Sequence, residues 1–91
     1  MEIKDCFKLM GSENYQDRYK GEYHELKIRA DKLEAMLKKY KAGTLPFTPS
    51  CDYELLFEQL VYMRQYQRIL EYRAEIEKVD LAVEYVHLSR G

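Results

Sequence analysis

The chain has 91 residues, a formal net charge of −1 and an apolar content of 46%. This length limits it to one domain. The balanced charge excludes a protein that binds duplex DNA, because neutralising phosphates requires a marked basic excess. The start of the chain is too polar for a signal peptide, and no run approaches the roughly 20 apolar residues of a membrane span, so a cytoplasmic protein is predicted.

The first ten residues predict a short amphipathic helix. Ile3, Phe7 and Met10 recur at helical spacing. A Gly-Ser pair follows and interrupts the pattern. We therefore expect residues 1–11 to form a short N-terminal helix beside the main unit, residues 12–91.

The next segment predicts a long helix with an apolar seam. Seven residues alternate between spacings of four and three, as paired helices require: Tyr19, Tyr23, Leu26, Ala30, Leu33, Leu37 and Tyr40. The outward pairs Glu25/Arg29 and Glu34/Lys38 place the acid on the favourable N-terminal side. Gly21 lies opposite the seam.

Both prolines of the chain fall in the break that follows this helix. Gly43 is placed to end the first long helix. The second long helix is predicted to begin near Cys51 or Asp52, with Thr48 or Ser50 as its cap. Its seam consists of Leu56, Leu60, Met63, Leu70 and Ala74, with Gln67 at an otherwise apolar position.

The second long helix also carries apolar residues outside its seam. They are Tyr62, Tyr66, Ile69 and Ile76, followed on a rotated face by Val79, Val83 and Val86. Apolar surface left over by a two-helix hairpin marks a protein interface, so a homo-oligomer held by these residues is predicted. The predicted fold is all-α: a long antiparallel helical hairpin plus the short N-terminal helix. The helices cover about 2–10, 13–42 and 52–88, with a proline-rich loop at 43–51.

Residue types that carry out chemistry are few. Cys6 and Cys51 are predicted at opposite ends of the hairpin, too far apart for a disulfide. Glu84 and His87 show the Glu-x-x-His spacing of di-iron helix bundles, which also need a second copy and two further glutamates. That second copy is missing from the chain, and no nucleophile–base motif occurs. The sequence therefore predicts no metal site, no cofactor and no enzyme.

Two Tyr/Arg groups are candidates for recognising a ligand. Arg64, Arg68 and Tyr72 share one helical face, and Tyr15 and Arg18 form a second group near the other end of the chain. Guanidinium groups beside aromatic rings suit phosphates and bases. The alternative is a solvated face on which the arginines pair with nearby glutamates.

The second half of the chain resembles a family of short, uncharacterised proteins of tailed phages and prophages of Gram-positive bacteria. The matching residues are Lys39-Tyr40, Gly43-Thr44-Leu45, Phe47, Cys51, Leu55-Leu56, Gln59-Leu60, Met63, Tyr66, Leu70 and Arg73-Ala74-Glu75-Ile76. Asp52 departs from the proline that members often carry after the loop cysteine. The resemblance implies a phage origin and a helical hairpin, but no mechanism.

Gln59, Met63 and Arg73-Ala74 are also similar to the helical hairpin of phage anti-defence sponges, which bind cyclic nucleotide signals between subunits. That similarity implies that the two Tyr/Arg groups contact phosphates or bases. The leading hypothesis is a non-enzymatic phage protein that binds and blocks a host defence protein, as an anti-CRISPR-like inhibitor or adaptor, in the cytoplasm of the infected bacterium. The alternative is an oligomeric sponge that sequesters a cyclic nucleotide defence signal.

Overall fold

A computed structural model of the protein describes residues 2–81, which contain three helices and no strand. Helix α1 spans Ile3–Met10, α2 spans Tyr15–Ala42 and α3 spans Tyr53–Glu77. The predicted all-helical class is confirmed for this part of the chain. No helix within these residues has the length and apolar content needed to cross a membrane.

Side chains and backbone geometry fix the ends of the long helices. The side chain of Asn14 accepts hydrogen bonds from two first-turn amides of α2, and Gly43 ends this helix in the left-handed conformation, with φ 75°. The cap of α3 is Asp52, whose carboxylate accepts a hydrogen bond from a first-turn amide at 2.9 Å. The predicted caps Thr48 and Ser50 are therefore wrong, because the helix begins after Asp52.

The end of α3 differs from the predicted one. Lys78 takes a left-handed conformation with φ 60°, and the amide of Val79 donates to the carbonyl of Ala74 at 2.9 Å. The predicted continuous helix is thus wrong from Lys78 to Leu81, and its remainder lies outside the described residues. Neither a glycine nor a proline stands at Lys78, so the residue types there did not predict the end of the helix.

The long helices meet with opposite chain directions. Near the start of α2, the hydroxyl of Tyr19 donates to the carbonyl of Leu70 at 2.6 Å, late in α3. Near the end of α2, the ring of Tyr40 lies 5.6 Å from that of Tyr53, at the start of α3. Tyr19, Tyr40 and Leu70 belong to the predicted seam, whereas Tyr53 does not.

Two apolar clusters fill the space between the long helices. The first contains Tyr19, Tyr23, Leu70, Ala74 and Val79; the second contains Ala30, Leu37 and Leu60. A polar belt of Asp31 and Glu34 on α2 and Arg64 and Gln67 on α3 crosses from one long helix to the other. Arg64 donates to Asp31 at 2.9 Å, to Glu34 at 2.5 Å and to Gln67 at 2.9 Å.

Helix α1 packs on α2 at Gly21. A Cβ atom at this position would lie 2.6 Å from the carbonyl oxygen of Cys6 and 2.8 Å from the amide of Met10, so only glycine allows this approach. Cys6 is completely buried there, whereas Cys51 is exposed, and both are free thiols as predicted.

Candidate ligand-binding cleft

A cleft of about 340 Å³ opens where the start of α2 meets the ends of α1 and α3. We call it the Tyr–Arg cleft. It is lined by Met10, Tyr15, Arg18, Tyr19, Glu22 and Arg73. Its volume falls within the roughly 300–1,000 Å³ of small-molecule sites.

Tyr15, Arg73 and Glu77 form a hydrogen-bonded group at one side of the cleft. The hydroxyl of Tyr15 donates to Glu77 at 2.6 Å, and Arg73 donates to Glu77 at 3.0 Å and to the Tyr15 oxygen at 3.3 Å. These bonds, first that from Tyr15 and then those from Arg73, lower the pKa of Glu77. The carboxylate therefore stays ionised, and it holds both neighbours in place.

Tyr19 forms a fixed aromatic wall. Its hydroxyl is anchored to the Leu70 carbonyl, and burial raises its pKa, so the phenol stays neutral. The guanidinium of Arg73 lies 5.3 Å from its ring centre, which is a cation–π contact. The ring of Tyr15 meets that of Tyr19 edge to face, with centres 6.0 Å apart.

The opposite side carries a second cation and a second carboxylate. Nη1 of Arg18 donates to the carbonyl oxygens of Ser12 at 3.0 Å and Glu13 at 2.8 Å, which fixes the guanidinium at the rim. Glu22 accepts a hydrogen bond from the hydroxyl of Tyr66, and this bond raises the pKa of Tyr66. The cleft thus offers cations, aromatic rings and carboxylate acceptors together.

The structure separates the sequence-predicted ligand residues. Tyr15 and Arg18 line the Tyr–Arg cleft, as their grouping suggested. Arg64 and Arg68 instead line another groove, of about 380 Å³, and Arg64 is held within the polar belt. Tyr72 is 61% exposed.

Met10, Glu22 and Arg73 line the cleft, but none of them was a predicted ligand residue. Arg73 stands four residues before Glu77, a spacing that favours an ion pair on a solvated face, and that pair is present. The ring of Tyr19 is far away in sequence, so only the meeting of α2 and α3 shows that the same guanidinium also enters a cleft.

The predicted interface residues fall into an exposed group and a buried one. Tyr62, Tyr66, Ile69 and Ile76 are exposed, as an interface requires. Val79 is 6% exposed and packs in the core of its own chain, so its assignment to an interface is wrong. Val83 and Val86 lie outside the described residues.

No group of His, Cys, Asp or Glu side chains within residues 2–81 is arranged to hold a metal ion. Glu84 and His87, the pair with di-iron spacing, fall beyond this range.

The fold and the cleft define a small all-helical protein whose two long helices build a polar, tyrosine-rich cleft. The chain belongs to the Sequestin family, whose model matches residues 13–76. This range includes all of α2 and nearly all of α3, and five of the six cleft-lining residues. The family description is compatible with a sequestering or binding role. No match is found among curated proteins or among solved structures.

Proposed function

We propose that this protein is a non-enzymatic sponge that sequesters a small anionic nucleotide signal in the Tyr–Arg cleft, as a phage counter-defence protein. The sequence by its motifs favours a blocker of a host defence protein, with the sponge as the alternative. The cleft reverses that order, because it brings Tyr15, Arg18 and Arg73 together.

The chemistry of the cleft matches the parts of a nucleotide. The guanidinium groups of Arg18 and Arg73 suit phosphate oxygens, because charge-assisted hydrogen bonds from arginine are strong and directional. The rings of Tyr15 and Tyr19 offer apolar area against a base. Glu22 can accept hydrogen bonds from ribose hydroxyls or a base amine.

The same geometry favours capture without turnover. The cleft-lining side chains include no thiol or imidazole beside a nucleophile, and the tyrosine hydroxyls donate to carboxylates or to a carbonyl. The family description supports sequestration, and the resemblance to phage proteins supports a counter-defence role.

The test is a thermal-shift screen of cyclic di- and trinucleotides, followed by calorimetry on each hit. A ligand that binds only the folded state raises the melting temperature by mass action. We expect Arg18→Ala and Arg73→Ala each to weaken binding about tenfold or more, since a hydrogen bond to a charged group contributes roughly 1.5–3 kcal/mol. Arg68→Ala removes a matched arginine outside the cleft and should bind like the wild type.

A panel in which no nucleotide changes the melting temperature would contradict the sponge. So would unchanged affinity of the Arg18→Ala/Arg73→Ala double variant. Far-UV circular dichroism of each variant distinguishes lost binding from lost structure, because alanine is a better helix former than arginine.

The second candidate is a blocker of a host defence protein. It is supported by the exposed apolar residues of α3, of which Tyr62 is 62% and Ile76 80% exposed. Tyr62→Glu should then abolish counter-defence activity in a phage-plating assay, while the cleft variants should have no effect.

A further inference from the structure

A straight apolar stripe runs along α3 on a side that α2 does not cover. Its residues repeat every seven positions: Leu55, Tyr62, Ile69 and Ile76, with 55, 62, 53 and 80% exposure. At about 100° per residue, the stripe lies roughly 130° around the helix from the seam that meets α2. We call it the outer stripe.

The outer stripe has the periodicity of a helix–helix seam. A seven-residue apolar repeat keeps one line of side chains facing a partner helix along its whole length. Within residues 2–81, α1 and α3 each pack against α2 and not against each other. The described part of the chain therefore offers no helix of its own to this stripe.

The exposed area is that of a dimer interface. Tyr66 and Tyr72 flank the stripe and are 43 and 61% exposed. Together with the stripe they expose on the order of 700 Å² of side-chain surface, close to the roughly 800 Å² that each partner of a stable complex buries.

We propose that a second copy of this chain covers the outer stripe and that the two α3 helices pair antiparallel about a two-fold axis near Gln65. This arrangement sets Leu55 beside the partner's Ile76, and Tyr62 beside the partner's Ile69. The outer stripe of one copy then contacts the outer stripe of the other along its full length, as the self-complementary interface of a two-fold dimer requires.

Charge selects the antiparallel orientation. Glu58 lies between Leu55 and Tyr62 on the edge of the outer stripe. A parallel, in-register pair would place Glu58 beside its own copy, and like charges at an interface repel. The antiparallel pair separates the two copies of this carboxylate by roughly 20 Å along the helices.

Light scattering tests the dimer. The wild type should have twice the 11.0 kDa mass of one chain. Ile69→Glu should weaken association at least a hundredfold and give monomers at the same concentration. Arg68→Glu places the same charge on α3 but away from the outer stripe and should stay dimeric. A wild type that is monomeric at high micromolar concentration would overturn the proposal and leave the stripe for another protein.

Cysteine cross-linking tests the orientation without relying on a destabilised variant. In a Cys51→Ser background, Gln65→Cys should give a disulfide-linked dimer on mild oxidation, because the two-fold axis brings position 65 close to its copy. Glu58→Cys should not. Cross-linking by both variants would identify a parallel pair, and cross-linking by neither would refute pairing through α3; either result overturns the proposal. Neither experiment changes a residue that lines the Tyr–Arg cleft, so their failure leaves the sponge hypothesis to its own test.

Discussion

At the scale of single residues, tyrosine hydroxyls connect the two long helices. Tyr19 donates to the carbonyl of Leu70 at 2.6 Å, in a buried setting, and Tyr23 donates to Glu71 at 2.5 Å, nearer to solvent. A buried hydroxyl needs a partner, because burying a polar group without one is costly. These bonds explain why a seam tolerates tyrosine where leucine would ordinarily stand.

Tyr19→Phe should lower the free energy of unfolding by about 1 kcal/mol, the net contribution of one buried hydrogen bond. The ring remains, so no cavity is created. Urea denaturation followed by circular dichroism measures the change. Tyr72→Phe is the control: it removes a hydroxyl from a tyrosine that is 61% exposed and should change the stability little. Equal losses in the two variants would show that the buried hydrogen bond of Tyr19 is not the cause.

At the scale of elements, one glycine determines how α1 is attached. Gly21 looked like a weak point on the outer side of α2, because a helix-interior glycine costs about 1 kcal/mol relative to alanine. It is instead the place where two backbones touch. The neighbouring atoms include the carbonyl oxygen of Cys6 and the amide nitrogen of Met10, neither of which can rotate away as a side chain can.

Gly21→Ala should therefore displace α1 and lower stability by about 1–3 kcal/mol, the usual cost of overpacking, less the gain in helix propensity. Displacement should also expose Cys6. In a Cys51→Ser background, the rate of reaction with a thiol reagent reports that exposure and should rise.

The control for this prediction is Gly11→Ala. A Cβ at Gly11 would meet only carbonyl oxygens at 3.7 and 3.8 Å, so this variant should keep both the stability and the slow thiol reaction of the parent. Slow thiol reaction in Gly21→Ala would mean that α1 accommodates the extra methyl group without moving.

At the scale of the whole molecule, the polar belt joins α2 to α3 beside the apolar clusters. Gln67 occupies a seam position between the two apolar clusters, and it accepts a hydrogen bond from Arg64 and donates to the hydroxyl of Tyr23 at 3.4 Å. A polar residue at such a position commonly fixes the register of paired helices at a cost in stability. The reach of Arg64 to Asp31 and Glu34 on α2 serves the same end.

Gln67→Leu should raise the free energy of unfolding by about 1 kcal/mol, since a partly buried leucine joins the two clusters into one. In this variant Arg64 retains its hydrogen bonds to Asp31 and Glu34, and Tyr23 retains its hydrogen bond to Glu71. Urea unfolding measures the gain. A loss of stability would show that the hydrogen bonds of Gln67 outweigh the apolar contact.

Apolar spacing in the sequence predicted the three helices and the seam between the long ones, apart from the end of α3. The spacing from Tyr19 to Leu37 in α2 and from Leu60 to Ala74 in α3 follows the helical period, which is a local property of each helix. The start of α2 and the glycine cap at Gly43 were also readable, because cap chemistry depends on one or two residues. The early end of α3 at Lys78 was not readable, because a non-glycine residue takes the left-handed conformation there.

Which residues form the cleft depends on how α3 packs against α2. Tyr15 and Arg18 are close in sequence and could be grouped in advance, whereas Arg73 joins them only because α3 runs back past the start of α2. The same pairing removed Arg64 from the candidate ligand residues by placing two carboxylates within its reach. Periodicity indicates which face of a helix a residue occupies, but not which distant side chain it contacts there. A binding site is formed by such long-range contacts.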